Sequence, residues 1–329
     1  MNYHQLTEQE RYQIYVLLKA GHSQKDIAKL IGRSPGTISR ELRRNSGRRG
    51  YRPKQAQRLS DHRRVTAHKA IKITDEVKGW IAKLIRQELS PQQVVGYLRK
   101  YKKLSLHHES IYQMVYADKL EGGNLYKHLR VLSKSYRKRY GHYDRRGKIK
   151  NRVDIDARPS VVDRRSRIGD WEGDTIMGKG RKSALLTMVE RKTLYTVIVR
   201  LTGKRADLLA KKAIMAMKCL SSKVKTITFD NGLEFAEHEE IAKGLNADIY
   251  FAHPYASWER GINENTNGLI RQYFPKGTDF KSVSEAQIRM VMNRLNNRPR
   301  MTRDFKTPNE LFTGQRIDLL AAQRVAVIT

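Results

Sequence analysis

The stretch Thr226-Ile227-Thr228-Phe229-Asp230-Asn231-Gly232 decides the fold. Its first four residues are β-branched or aromatic and read as a short buried strand. Asn-Gly is a turn signal, so Asp230 falls at the strand's C-terminal edge, where α/β proteins build their sites. Upstream lie three strand-like runs, Trp171 to Met177, Ala184 to Glu190 and Tyr195 to Leu201, which read as an antiparallel meander, then a helical stretch from Ala206 to Leu220. Downstream come a helix from Phe235 to Leu245, a strand from Ile249 to Phe251 and a long helix from about Arg260 to Tyr273.

Three antiparallel strands followed by alternating helix and strand is the order of a ribonuclease-H-like α/β domain, although pattern alone leaves other α/β arrangements open. The acids narrow the choice. Asp174 lies inside the first strand, where a buried strand normally carries an apolar residue, and Glu264 lies on the long helix after Asp230. Three carboxylates on three elements can converge on one point, as two-metal phosphoryl transfer requires, because attacking and leaving oxygens both develop negative charge. Magnesium takes oxygen ligands and keeps several waters, so no histidine or thiolate is needed. Asp170 and Glu172 are rivals, since strand alternation puts both on the face that holds Asp174.

Charge points to the partner. The 329 residues hold 66 Lys and Arg against 33 Asp and Glu, a net charge of +33, which attracts polyanions, with nucleic acid first and an anionic membrane second. Residues 1–150 carry 35 basic and 12 acidic side chains, residues 151–329 carry 31 and 21. No apolar run is long enough to span a bilayer and no apolar signal core follows Met1, so a soluble, intracellular protein without membrane association is expected. The single cysteine, Cys219, excludes an intramolecular disulfide and cysteine-based zinc sites.

The N-terminal region reads as reading heads for DNA. Thr7-Glu8-Gln9-Glu10 is a capping box opening a helix over about 7–19, Ser23 caps a second around Ile27 and Leu30, Gly32 supplies a turn, and Ser34-Pro35 opens a third through Ile38 and Leu42. This is the helix-turn-helix order. Its third helix would offer Gly36, Thr37, Arg40 and Glu41 to base edges, and Arg43, Arg44, Arg48 and Arg49 to phosphates. A second version follows, with helices at Asp75 to Glu88, Ser90-Pro91 to Leu98, and Ser105 to Ala117, as a second DNA-reading unit or a helical spacer or dimerisation module. The expected domains are a helix-turn-helix domain at 1–60, a second helical domain at 61–130, a basic linker at 131–165 containing Lys134 to Lys150, and a catalytic domain with a helical tail at 166–329.

Three stretches carry a specific resemblance: Gly169-Asp170-Trp171-Glu172-Gly173-Asp174-Thr175; Thr228-Phe229-Asp230-Asn231-Gly232 with Glu234-Phe235; and the block PYASWERGINENTNGLIRQYFPK from Pro254 to Lys276. With them the sequence resembles bacterial insertion-sequence transposases of the DDE type, most closely the family whose prototype is insertion sequence thirty. The resemblance covers nearly the whole chain. It implies an all-α helix-turn-helix N-terminal region and an α/β ribonuclease-H-like, retroviral-integrase-like catalytic domain. It implies that Asp174, Asp230 and Glu264 are the catalytic triad and the ligands of two Mg2+ ions, with Mn2+ as a substitute.

It also points to Arg271, two turns beyond Glu264, as a cation that steadies the carboxylate or binds the DNA end. Asn265, Asn267, Trp258 and Arg260 are candidate accessory residues, and His238 and His253 are expected to be structural or solvent-facing. The expected activity is binding of the terminal inverted repeats of a mobile element, metal-dependent 3′-end cleavage and strand transfer into target DNA, by a homodimer or larger synaptic assembly in the bacterial cytoplasm, at the nucleoid. The alternatives are a DNA-binding regulator with an inactive ribonuclease-H-like half, and a metal-dependent nuclease that does not join strands.

Overall fold

In a computed structural model, residues 5–67, 72–129, 149–203, 205–254 and 256–321 are described. The chain divides into two compact units, Met1–Lys72 and Ile73–Thr329.

The first unit contains α1 (Glu8–Lys19), α2 (Gln24–Ile31), α3 (Pro35–Asn45), a two-stranded hairpin of β1 (Ser46–Gly47) and β2 (Gly50–Tyr51), and α4 (Pro53–Thr66). Its caps follow the sequence: Thr7 and Glu10 close a reciprocal capping box, Ser34 accepts the Thr37 N–H with Pro35 in the first turn, and Gly32 ends α2 at φ 70°. Ile14, Ile27, Ala28 and Ile38 meet Tyr51 and Ala56 in one small core. The hairpin and α4 have no counterpart among the expected elements, and α4 carries this unit past the expected boundary at residue 60.

In the second unit α5 (Asp75–Arg86), α6 (Pro91–Lys102) and α7 (His108–Leu120) pack around Ile81, Leu84, Val94, Leu98, Ile111 and Val115. Helix α7 starts three residues later than Ser105 because the His107 side chain supplies its cap. Residues 130–148, which hold most of the expected basic linker, lie outside the described residues. The remainder of 131–165 belongs to the catalytic fold. Ile149, Ile155 and Val162 are buried, α8 (Ser160–Asp163) is a single turn, and Asp154 bridges to Phe251 at the sheet edge.

The sheet comprises β3 (Asp170–Met177), β4 (Ala184–Glu190), β5 (Thr196–Leu201), β6 (Thr226–Phe229) and β7 (Asp248–Phe251), ordered β5-β4-β3-β6-β7. The first three pair antiparallel, and β6 and β7 add in parallel beside β3. Helices α9 (Ala206–Met217) and α10 (His238–Leu245) cover the face carrying Trp171, Met188, Ile227 and Phe229. Helices α11 (Gly261–Tyr273) and α12 (Glu285–Asn296) cover the other through Ile176, Leu185, Ile198, Leu269 and Ile288. The acids Asp170, Glu172 and Asp174 share this second face with Ile176, as the two-residue period of a strand requires. Gly173 points the opposite way, where a Cβ would stand 2.2 Å from the Phe229 ring.

The C-terminal segment is more than a cover. After α12, a short 3₁₀ turn, α13 (Pro308–Thr313) and the tail to residue 321 tie the α5–α7 module to the sheet. Tyr97 donates to Asp318 at 2.8 Å, Tyr101 donates to Glu310 at 2.6 Å, and Glu88 receives Arg294. Phe305 lies so close to α6 that a Cβ on Gly96 would fall 2.1 Å from its ring, which explains a glycine in mid-helix. Module and sheet fall within one compact unit, Ile73–Thr329.

Candidate active site

Strand register brings the two aspartates together. In the parallel β3–β6 ladder Asp170 faces Thr226 and Glu172 faces Thr228. Continuing in the same two-residue steps, Asp174 and Asp230 lie side by side where β6 gives way to its turn. The Asp230 carboxylate accepts the Gly232 N–H at 3.0 Å, so the Asn-Gly turn also aims it.

Asp174 is held from three sides. Its carboxylate accepts the Thr175 N–H at 2.8 Å and the Asn267 side-chain N–H at 2.7 Å. Thr187, its partner across the antiparallel ladder, donates to the Asp174 carbonyl at 3.2 Å and lies 3.0 Å from Asn267 Oδ1. Asn267 thus docks α11 onto β3. Glu264 lies one turn earlier on the same helix, hence on the same face, and is exposed. Burial pushes the Asp174 carboxyl up to about 6 against the pull of the Arg260 guanidinium, with a further push from Asp230.

Arg260, just before α11, reaches into the gap between the acids. Its guanidinium lies 3.8 Å from Asp174 and 3.3 Å from Asp230, and donates to the Gly173 carbonyl at 3.1 Å. A cation thus bridges both aspartates.

The rival acids are engaged elsewhere. Asp170 is fully buried, ion-paired to Arg167 at 2.9 Å and accepting from Thr226 at 2.9 Å. Glu172 pairs with buried Arg191 at 2.7 Å and accepts the Asn263 N–H at 3.2 Å, pinning the first turn of α11 to β3. Burial drives the Glu172 carboxyl up and the Arg191 guanidinium down, and each partner's charge opposes the other's shift.

Glu234 is absent from the residues expected at the site, yet it accepts from Thr175, the chain neighbour of Asp174, at 2.9 Å and lies against Gly232, two residues after Asp230. Its only signal in the sequence is its place in the motif around Asp230-Asn231-Gly232. Thr187 is equally invisible there as a site residue, because its role comes from its cross-strand partner.

Other candidates fall elsewhere. Arg271 donates to the carbonyls of Met177 at 2.6 Å and Pro275 at 3.3 Å, so its guanidinium fastens the end of β3 to the end of α11. Asn265 is exposed. The Trp258 side chain lies outside the described residues. His238 is buried edge-on against Phe251, while His253 lies 2.9 Å from Glu259 and 3.2 Å from Asp156.

In the N-terminal unit, Arg40, Arg43, Arg44, Arg48 and Arg49 are exposed, the last two in the β1–β2 turn, and Thr37 pairs with Ser34 at 2.8 Å. Glu41 is a correction. It does not face a base edge but is buried, paired to Arg11 at 2.8 Å and accepting from Tyr51 at 3.1 Å.

The comparisons with known proteins match both halves. Residues 2–45 match the helix-turn-helix domain family and residues 164–257 the integrase core domain family, a match that ends short of Glu264. The chain is 45% identical over 309 residues to the transposase for insertion sequence element IS4351 of Bacteroides fragilis, covering 93% of this chain and 95% of that protein. It is 37% identical over 322 residues to the transposase InsI for insertion sequence element IS30A of Escherichia coli K12, covering 93% and 82%. Among solved structures, the catalytic core of BIV integrase aligns with 45% of this chain and 95% of its own, at 19% identity and a TM-score of 0.36. With this coverage and identity, the chain belongs to the insertion sequence thirty family of DNA transposases, with a helix-turn-helix domain and an integrase core.

Proposed function

We propose that this transposase binds the terminal repeats of its own element through the N-terminal unit. At Asp174, Asp230 and Glu264 it cuts the 3′ ends and joins them to target DNA. The observation that carries the reading is the pair Asp174 and Asp230, brought side by side by parallel register and converging on one positive charge.

The donor set suits a hard divalent cation, magnesium first and manganese as substitute, because the ligands are carboxylate oxygens. Among the described residues no three acids, histidines or cysteines stand close enough to form a finished cage. Two aspartates supply the fixed part, and exposed Glu264 closes the set by turning inward from α11. Two such ions, when bound, would stabilise the attacking and leaving oxygens of a phosphodiester.

The protein's own contribution is positional. Asn267, Thr187 and the Thr175 N–H fix the rotamer of Asp174, the Gly232 N–H fixes Asp230, and Glu172 holds the start of the helix that carries Glu264. Exposed Arg40, Arg43, Arg44, Arg48 and Arg49 neutralise DNA phosphates, with Thr37 and Arg40 nearest the base edges. Joining two element ends requires at least two copies of the chain.

The test incubates purified protein with a labelled element-end duplex, target DNA and Mg2+. Joined product supports the reading. Nicks without joining would identify a nuclease, and binding without cleavage a regulator. Asp230→Asn should eliminate product while DNA binding stays within about twofold; joining retained in that variant would overturn the assignment of the acids.

A further inference from the structure

Arg260 is built into the site in a way that DNA contact alone does not require. Its side chain is only 13% exposed, and it leaves a buried Nε without a partner among the described residues. An unpaired buried N–H is costly. What offsets that cost is the position of the guanidinium, which serves the Gly173 carbonyl and both aspartates at once. Without a positive charge there, two neighbouring carboxylates would repel each other in a partly desolvated cleft.

A divalent ion needs the same oxygens. It would bind them at about 2.0–2.1 Å for magnesium, and a guanidinium 3.3 Å from Asp230 and 3.8 Å from Asp174 cannot remain between them. The two cations therefore compete for one place. Arg260 immediately precedes Gly261, where a 3₁₀ turn passes into α11 at a non-helical φ of −125°, so it stands at a joint and not inside a rigid helix.

We propose that Arg260 is a positioning residue that acts as an internal counter-ion. It holds Asp174 and Asp230 together until a divalent cation takes them, then leaves the gap with its charge free for the DNA backbone. Metal affinity is thereby reduced by the fraction of molecules in which the guanidinium occupies the acids. The inference rests on the reading that these aspartates hold metal.

The test measures Mn2+ binding to the DNA-free full-length protein by calorimetry and its melting with and without Mn2+. Arg260→Gln should bind Mn2+ several-fold more tightly than the unaltered protein. It should also melt lower without metal, and the gap should narrow as Mn2+ is added. Arg260→Lys, which keeps the charge but not the fork, should fall between. In the unaltered protein, Mn2+ should raise the reactivity of Arg260 toward phenylglyoxal, read by peptide mass spectrometry, a measurement that does not depend on any variant folding. Equal or weaker Mn2+ binding by a folded Arg260→Gln, or Arg260 reactivity unchanged by metal, overturns the proposal. Failure of both proteins to bind Mn2+ overturns the metal reading itself, and the proposal with it.

Discussion

Five arginines of the N-terminal unit and four of the catalytic unit face opposite ways. In the first, Arg40, Arg43, Arg44, Arg48 and Arg49 are exposed on α3 and the hairpin. In the second, Arg158, Arg191 and Arg298 are buried and Arg260 nearly so, each against a carboxylate or a backbone carbonyl. One residue type thus serves two purposes. Outward, the guanidinium is an electrostatic contact for a polyanion; inward, it is the counter-ion that lets acids stand inside a folded core. Arg11 shows that the division follows environment and not domain, since it is 3% exposed and pairs with Glu41 inside the N-terminal unit.

The comparison breaks most sharply at an exposed acid. Glu264 is solvent-facing and makes no structural ion pair among the described residues, so Glu264→Gln should leave melting unchanged while lowering strand joining by about a thousandfold or more, as its proposed role as a metal ligand requires. Quantified product from a labelled element end reads the drop in joining, and thermal melting checks the unchanged stability. Next in size is the inward pair. Arg191→Met strands Glu172 in the core, and removing one partner of a buried ion pair costs about 3–5 kcal/mol. All three tryptophans, Trp80, Trp171 and Trp258, lie beyond residue 72, so fluorescence during urea unfolding reports this unit alone.

The outward arginines should give the reverse pattern. Arg43→Ala with Arg44→Ala should leave stability within about 0.5 kcal/mol. The affinity for the element-end duplex should fall, and the slope of log affinity against log salt should become shallower by about 2, near 0.9 for each phosphate that is no longer neutralised. Fluorescence anisotropy at a series of salt concentrations measures both; an unchanged slope would remove these two side chains from the DNA interface.

What the sequence made legible was local. Helix starts were readable because Thr7, Ser34 and Ser90 satisfy backbone donors within three residues of themselves. Strands β4 and β6 were readable to the residue because their runs are apolar or β-branched up to the Glu190 that ends β4. Helix α4 was not, since among its fourteen mostly polar residues only Pro53 and Ala56 are buried and no apolar period shows. Asp174 and Asp230 could be picked out by motif, but Asp170 and Glu172 could not be set aside from the same strand. What distinguishes them is a partner far along the chain, Thr226 for one and Arg191 for the other. The place of Arg260 is likewise a tertiary fact, set by register between two strands it does not belong to.

The smallest effect concerns pH and the loop that leads into α11. Both ring nitrogens of His253 face carboxylates and donate to them when the ring is protonated, to Glu259 at 2.9 Å and Asp156 at 3.2 Å, and the Glu259 hydrogen bond is the main cause that holds its pKa above the usual 6.5. A raised imidazole pKa means that the folded state binds the proton more tightly than the unfolded chain. The contribution is therefore complete below about 6.5 and disappears as pH rises through the higher folded value. The ring is 40% exposed, so the effect is modest. Stability by tryptophan fluorescence should fall slightly between pH 6 and 8 in the unaltered protein and be flatter over that window in His253→Gln. The pair also ties the segment before Arg260 to Asp156, so loosening it should let the guanidinium leave the aspartates more easily and shift Mn2+ affinity upward with pH; identical pH profiles for the two proteins would confine His253 to a solvent-facing role.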